Sequence, residues 1–460
     1  MRNPGSFRDP SGYVFSCDDR IFRALSDDAY RNFRLLKSSG AYDDLRSREW
    51  IIAADEAEAG RHDQNGHRIL EHPKLPFVSY PYEWPFSLLK RAALLHLDVH
   101  LRALDFGFTL SDASAYNVQF VGIRPILIDT LSFVPYQEGD YWTGQRQFVE
   151  QFINPLLLRS LFGVSPNAWY RGALEGVPTE EIVHLIGRFR RWLAPNLLTH
   201  ITLPDLLQRK ARRTPALSQR TPKPLPKAAL LFILRRLHGW ISRLRPKNVG
   251  PTEWQSYEAD NDSYAGDEEG KKQEFIARFS RAVAPSCAWD MGCNTGRYSE
   301  VLLQNAARNV IGFDFDLNAL EAGVARASAK HLPLLPLFCD AANPSPEQGW
   351  AEIERPGLRS RVNADAIIAL AIVHHLAIGK NIPLPSAVDW LVGLAPRGVV
   401  EFVPKSDPMI QRMLQLRKDI FVDYDKGHFE QALGRQGRIA QVLELSPGGR
   451  TLYEYERLAK

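Results

Sequence analysis

Several places in the chain combine residue types and spacings suited to chemistry. In Cys287-Ala-Trp-Asp-Met-Gly-Cys-Asn-Thr-Gly-Arg297 a short apolar run ends in Asp290, and Gly292, Cys293, Asn294, Thr295 and Gly296 follow. Glycines let a backbone turn sharply and lie close against a ligand. Val310-Ile-Gly-Phe-Asp314 is a second apolar run ending in an acid, with Phe315 next to it. An acid about 20 residues past a glycine turn can accept hydrogen bonds from a ribose diol. Asp316 competes for that place and reads equally well as a helix N-cap. Leu335-Pro-Leu-Phe-Cys-Asp340 ends in a third acid, followed by Ala341. Val373-His-His-Leu376 sets His374 and His375 where an imidazole, titrating near neutrality, can act as general base. The plainer role for that pair is to cap or pack the next helix. Asp112 and Asn117 stand five apart, with Asp129 after a short turn; hard oxygen ligands grouped in this way suit a divalent ion.

These residues need elements to hold them. The runs at Cys287–Asp290, Val310–Asp314, Leu335–Asp340, Asp365–Ala371 and Gly398–Val403 read as five buried parallel strands. A helical pattern through Tyr298, Val301, Leu302 and Leu303 follows the glycine turn, and another covers Lys271–Phe279. Trp254, Tyr257 and Tyr264 precede it, placed to cover a ligand or simply to pack. The sequence ends in a hairpin, Ile439–Leu445 and Thr451–Tyr455, joined through Ser446-Pro-Gly-Gly449. The connection Pro404–Arg435, with Lys405, Asp407, Arg412, Arg417, Tyr424 and His428, is long enough to carry substrate recognition, or is charged helix surface.

At 460 residues, 45% apolar and 24% charged, the chain is globular in composition and long enough for two or three domains. Its formal net charge of +4 does not by itself call for nucleic acid. Cys17, Cys287, Cys293 and Cys339 are scattered with no CxxC pair, which argues against a disulfide scaffold or zinc ribbon and for a reducing, cytoplasmic compartment. MRNPGSFRDP is no secretory signal, and the apolar stretch Ala228–Leu234 is far short of the ~20 residues of a spanning helix. Between Asp205 and Glu253 there is no acid, but there are Arg209, Lys210, Arg212, Arg213, Arg220, Lys223 and Lys227, with Pro215, Pro222, Pro224 and Pro226. This places a basic, proline-rich linker at 208–250 between a helix-rich 1–207 and an α/β 251–460, the latter expected to fold alone. In the linker Leu230, Ile233, Leu234, Leu237, Ile241 and Leu244 recur at helical spacing, with Arg235, Arg236, Arg243 and Arg245 between them. Such a helix packs on a neighbouring domain, or lies on an anionic membrane surface or on RNA.

The five strand signals, the terminal hairpin, the Asp-x-Gly-x-x-x-Gly turn and the three acids resemble the class I S-adenosylmethionine-dependent methyltransferases over residues 251–460. The resemblance implies a Rossmann-like domain with a mixed seven-stranded sheet and C-terminal hairpin. It implies S-adenosyl-L-methionine held by Asp290 and the loop Gly292–Gly296, with ribose on Asp314 and adenine near Asp340. The acceptor is left unidentified, and nucleic acid is one candidate. Asn294 replaces a glycine common in the family, a tolerable change because Asn accepts unusual backbone angles. The Asn/Asp-Pro-Pro-Tyr tetrapeptide of enzymes acting on exocyclic base nitrogens is absent after the fourth strand. A nicotinamide dehydrogenase shares strand, glycine turn and acid, but the glycines are not GxGxxG and the hairpin belongs to the methyltransferase sheet.

The segment around Asp112, Asn117 and Asp129, about residues 75–165, resembles the catalytic loop and metal-binding acid of kinase-like phosphotransferases, including the aminoglycoside kinases. No His or Arg precedes Asp112, Thr130-Leu131 replaces the usual residues after the last acid, and there is neither a phosphate loop nor a strand lysine upstream. The resemblance therefore implies a degenerate, helix-rich α+β kinase-like domain in which the three side chains cluster without efficient phosphoryl transfer. Ser79-Tyr-Pro-Tyr-Glu-Trp-Pro-Phe-Ser87 resembles a segment of bacterial nodulation-type methyltransferases, and Pro85 suits the first turn of a helix over Phe86–Leu104.

Overall fold

The computed structural model describes residues 2–57, 67–187, 192, 194–206, 223–247, 250, 265–415 and 418–458. The basic residues Arg209, Lys210, Arg212, Arg213 and Arg220, the prolines Pro215 and Pro222, the aromatics Trp254, Tyr257 and Tyr264, and Arg417 lie outside the described residues. The chain forms two units: Met1–Leu75, Ser79–Phe120 and Arg124–Val249 make the first, and Pro76–Val78, Val121–Ile123 and Gly250–Lys460 make the second.

The first unit opens with β1 (Gly12–Cys17), β2 (Arg20–Leu25), β3 (Asp55–Glu56) and β4 (Arg68–His72), an antiparallel sheet in the order β1-β2-β4-β3 that the sequence patterns did not announce. The helix Phe86–Asp105 follows, one residue longer than its apolar pattern. Then come β5 (Phe108–Leu110), the expected hairpin β6 (Val118–Val121) and β7 (Arg124–Leu127), and β8 (Phe133–Pro135), which pairs with β5. The Tyr-Pro run before the long helix is saturated with local bonds. Trp84 Nε1 donates to Ser79 Oγ at 2.9 Å, Tyr80 N donates to Glu83 Oε2 at 2.8 Å, and Asn167 Nδ2 donates to Tyr82 O at 2.8 Å. Buried polar groups need such partners, so packing accounts for the motif.

The helix Lys227–Arg243 belongs to this unit. It buries Leu230, Leu234, Leu237 and Ile241 and leaves Arg235 and Arg243 exposed. Lys90 Nζ donates to Ser242 O at 2.8 Å and Leu244 O at 3.0 Å, Lys227 Nζ donates to Leu104 O at 2.7 Å, and His238 meets Asp98 at 3.1 Å.

The second unit is a seven-stranded sheet in the order β11-β10-β9-β12-β13-β15-β14. Its strands are β9 (Ala288–Met291), β10 (Val310–Asp314), β11 (Leu334–Phe338), β12 (Ala366–Ala369), β13 (Arg397–Phe402), β14 (Gly437–Glu444) and β15 (Thr451–Arg457). The first five are parallel, β15 runs antiparallel to β13, and β14–β15 is the terminal hairpin. The strands β9–β12 are apolar almost throughout because helices cover both faces of a parallel sheet. β12 is shorter than its apolar run: Asp365 turns aside to accept from Cys287 N at 3.0 Å. Gly312 is required mid-strand, since a Cβ there would stand 2.8 Å from Cys293 Sγ. No described helix is long and apolar enough to cross a membrane.

Phe77, only 2% exposed, packs edge-on against Trp289 and Phe313 with ring centroids 5.6 and 5.9 Å away. Removing a buried phenyl ring costs its transfer free energy plus a cavity. Phe77→Ala is therefore expected to destabilise the second unit by about 3 kcal/mol in urea unfolding. A change under about 0.5 kcal/mol would show that the Phe77 ring is dispensable to that core.

Candidate active site

Asp290, Asp314, Asp316, Asp340, His374 and His375 converge on one cavity of about 590 Å³ in the second unit. The loop after β9 makes it. Gly292, Asn294 and Gly296 all have positive φ, at +80°, +48° and +78°. Gly292 N and Cys293 N both donate to Phe313 O, at 2.8 and 3.0 Å, so the turn is bolted to the neighbouring strand. Asn294, the departure from glycine, occupies the left-handed region that Asn tolerates. Its Oδ1 is buried with no partner among the described residues, an acceptor facing this loop's own surroundings unanswered. Thr295 O accepts from Arg326 Nε at 3.0 Å.

Asp314 is placed by two backbone amides. Asn294 N donates to Oδ2 and Asp316 N to Oδ1, each at 2.8 Å. Each oxygen retains a lone pair for a further donor. Asp316 separates from it in role: its carboxylate caps the helix Leu317–Lys330, accepting from Asn318 N at 2.8 Å and Ala319 N at 3.2 Å. Burial pushes the Asp314 carboxyl up to about 6 against the lowering effect of those amides. Burial likewise pushes Asp290 up to about 7, with Ser299 Oγ donating to it at 2.6 Å. Asp340 sits two residues beyond β11, later than its strand pattern implies. Its Oδ1 accepts from Ala342 N at 3.0 Å, and Lys380 Nζ lies 4.0 Å from Oδ2. Phe315, Cys339 and Ala341 complete this flank of the cavity, Phe315 remaining 53% exposed.

The other flank follows β12. His374 and His375 open the turn His375–Gly379, their rings 4.0 Å apart, and both line the cavity. His374 is 2% exposed, and its Nδ1 has no partner among the described residues. Burial holds the His374 imidazole well below its ordinary pKa and His375 at about 4, so both rings are neutral at pH 7.

Among the cavity residues that escaped sequence reading, two are cations and two are methionines. Lys272 Nζ donates to the buried Glu401 Oε2 at 2.6 Å. Arg450 Nε donates to Asp407 Oδ2 at 2.8 Å. Met409 and Met413 come from the helix Pro408–Leu414, inside the long connection. The Met pair at i, i+4 was a visible signal; Arg450, in a hairpin turn, gave none. The polar residues of that connection do other work: Asp407 caps the helix, Lys405 pairs with Asp419, Tyr424 OH donates to Val403 O, and Arg412 and His428 are exposed.

In the first unit Asp112, Asn117 and Asp129 do cluster. Asn117 Nδ2 donates to Asp112 Oδ2 at 2.9 Å and to Asp129 Oδ2 at 3.3 Å. Arg23, from β2, joins them, its Nη1 2.8 Å from Asp129 Oδ1 and its Nη2 2.6 Å from Asp9 Oδ2. A guanidinium thus supplies the positive charge, and no group of three or more His, Cys, Asp or Glu suited to a metal occurs among the described residues.

The sheet order of the second unit, with its antiparallel seventh strand, glycine loop after β9 and acids after β10 and β11, defines a class I S-adenosylmethionine-dependent methyltransferase fold. No protein-family profile matches the chain. Over 461 residues it is 45% identical to Nodulation protein NoeA of Rhizobium meliloti (strain 1021), covering 99% of this chain and 96% of that one, and it belongs to the NoeA family. Among solved structures it is similar to magnesium protoporphyrin IX methyltransferase (ChlM) from Synechocystis PCC 6803 with bound SAH. That pair is 17% identical over 45% of this chain and 93% of that one, with TM-score 0.33. It is also similar to N-methyltransferase NodS from Bradyrhizobium japonicum WM9, 14% identical over 44% and 97%, with TM-score 0.33. The class rests on strand order and loop geometry, not on these superpositions.

Two outcomes follow from the charges. An aspartate with a pKa raised to about 7 binds its proton more readily folded than unfolded, so its contribution to stability is full below about pH 4 and falls as pH rises to about 7. Wild type should therefore lose stability relative to Asp290→Asn across that window, by at most about 1.4 kcal/mol per pH unit, in urea titrations at stepped pH; a difference independent of pH would show Asp290 ionised throughout. In the first unit, Arg23→Gln strands two carboxylates and should cost on the order of 3 kcal/mol in the same assay. An unchanged midpoint would mean that solvent compensates them.

Proposed function

We propose that the protein transfers a methyl group from S-adenosyl-L-methionine to an acceptor held on the β12 flank of the cavity. The observation that carries this reading is Asp314, fixed at the cavity wall by the Asn294 and Asp316 amides with acceptor capacity to spare. The residues fit the cofactor: the loop Gly292, Cys293, Asn294, Thr295 and Gly296, with Asp290 beneath it, would take the amino-acid end. Asp314 and Phe315 would take the ribose, and Asp340 and Ala341 the adenine. When bound, the cofactor supplies an activated methyl group on sulfur. The chain's own task is then to orient the acceptor and receive its proton. Neutral His374 and His375 are the candidates for that proton.

For the first unit we propose a degenerate kinase-like fold that serves structure or recruitment. The Asp112–Asn117–Asp129 cluster supports the likeness, and Arg23 standing among the acids fits a domain without efficient phosphoryl transfer, a phosphotransferase activity being the alternative. A cytoplasmic site of action fits four free thiols. Nucleic acid as acceptor, and a membrane surface for the basic segment, belong to the same proposal as alternatives. A second reading, a scaffold that binds the cofactor without turnover, predicts donor binding with no labelled methyl product from cell extract.

Titration calorimetry with S-adenosylmethionine tests the reading. Asp314→Ala should weaken binding about 10–100-fold, since ribose hydroxyls lose their acceptor. The ionised carboxylate is the better acceptor, so wild-type affinity should be full above about pH 6 and fall as pH drops through that value. Equal binding by a folded Asp314→Ala variant would remove Asp314 from the ribose site.

A further inference from the structure

The acceptor flank carries information about what is methylated. Its wall is apolar where Ile372, Leu376, Met409 and Met413 form it, and methionines adapt to irregular apolar ligands. The polar groups of the lining outside the carboxylates and their partners are His374, His375, Tyr298 and two cations, Arg450 and Lys272, the latter 5.0 Å over the Tyr298 ring. Both cations are paired, Lys272 with Glu401 and Arg450 with Asp407 and, at 3.8 Å, Glu401. Both cations line the cavity, while neither Glu401 nor Asp407 does. The remaining charged lining groups belong to the cofactor flank or are paired across it. Asp290, Asp314, Asp316 and Asp340 stand at the ends of β9, β10 and β11, Lys380 lies by Asp340, and Arg297 pairs with Glu269. Sheet order sets β12 and β13, next to β15, on the side away from β10 and β11. The field of Arg450 reaches both imidazoles, and that of Lys272 reaches His374 and Asp290.

We infer that the acceptor is a hydroxyl on an apolar carrier, with His374 taking its proton and Arg450 facing its oxygen; this rests on the methyltransferase reading above. An alkylamine enters at neutral pH as an ammonium ion, and a cation is opposed by Arg450, by Lys272 and by a sulfonium donor. A hydroxyl enters uncharged and becomes more negative as its proton leaves, which the same cations favour. In the transfer the acceptor oxygen forms its bond to the methyl carbon. The O–H bond breaks with the proton passing to a His374 ring nitrogen, and the carbon–sulfur pair stays on sulfur. The imidazolium then returns its proton to solvent.

The test needs no natural acceptor. With S-adenosylhomocysteine saturating, 4-nitrophenol and 4-methylbenzylamine, similar in size, one a weak acid and the other a base, are titrated into the full chain. The expected result is that bound nitrophenol shows the phenolate absorption at about pH 6, where it is mostly neutral in water, and binds at least about tenfold tighter than the amine. Arg450→Gln should lower the phenolate fraction about tenfold with homocysteine-cofactor affinity kept, and Arg450→Lys should retain most of it. The wild-type comparison stands even if an Arg450 variant does not fold. Tighter or equal binding of the amine, a neutral-phenol spectrum, or no nitrophenol binding at millimolar concentration overturns the inference while leaving the methyltransferase reading intact. Absence of S-adenosylhomocysteine binding removes both.

Discussion

Two adjacent amides, those of Gly292 and Cys293, converge on one carbonyl, Phe313 O, and the next, from Asn294, reaches the side chain of Asp314. The site depends on this fastening. Left-handed backbone at Gly292, Asn294 and Gly296 is unfavourable for ordinary side chains, so such a loop keeps its shape only if its surroundings over-determine it. Tying it to β10 does so, and the same bonds aim the Asp314 carboxylate. Loop shape and acid placement are therefore one constraint.

A second constraint is electrostatic. The cavity gathers carboxylates pushed toward protonation and imidazoles pushed toward neutrality, both by removal from water. The two imidazoles are thereby held uncharged at neutral pH, while Asp314, raised less far than Asp290, still ionises there. Lys272 and Arg450 are bonded directly to Glu401 and Asp407. A charge withdrawn from water needs such a partner, and both paired cations line the cavity.

Much of the second unit was legible. β9 to β13 are near-continuous apolar runs, the first three ended or closely followed by a glycine or an acid, and that pattern has few alternative folds. Asp314, Asp340, His374 and His375 were found because they follow such runs. Asp316 could not be separated from Asp314 in sequence, since only the direction of each carboxylate distinguishes a ligand site from a helix cap. The four-stranded sheet at the N-terminus was missed for a different reason: β1 is half exposed along its length and β3 has two residues, so neither shows a clean alternation. Arg23 was invisible as a partner of Asp129 because nothing local links residues so far apart. Arg450 is contributed by a hairpin turn, where residue type says little about direction, whereas the spacing of Met409 and Met413 was a signal left unread.

Pro76–Val78 and Val121–Ile123 count with the second unit although the rest of that unit begins at Gly250. The order in which a ribosome delivers the chain then matters. Phe77 is synthesised long before Trp289 and Phe313, the rings that will enclose it. Contacts so distant in sequence form late and slowly. Until then an apolar aromatic waits uncovered beside residues that have already folded, which is a period of exposure to aggregation or chaperone capture. The segments of the first unit all precede Gly250, so a ribosome delivers them before any strand of the methyltransferase sheet.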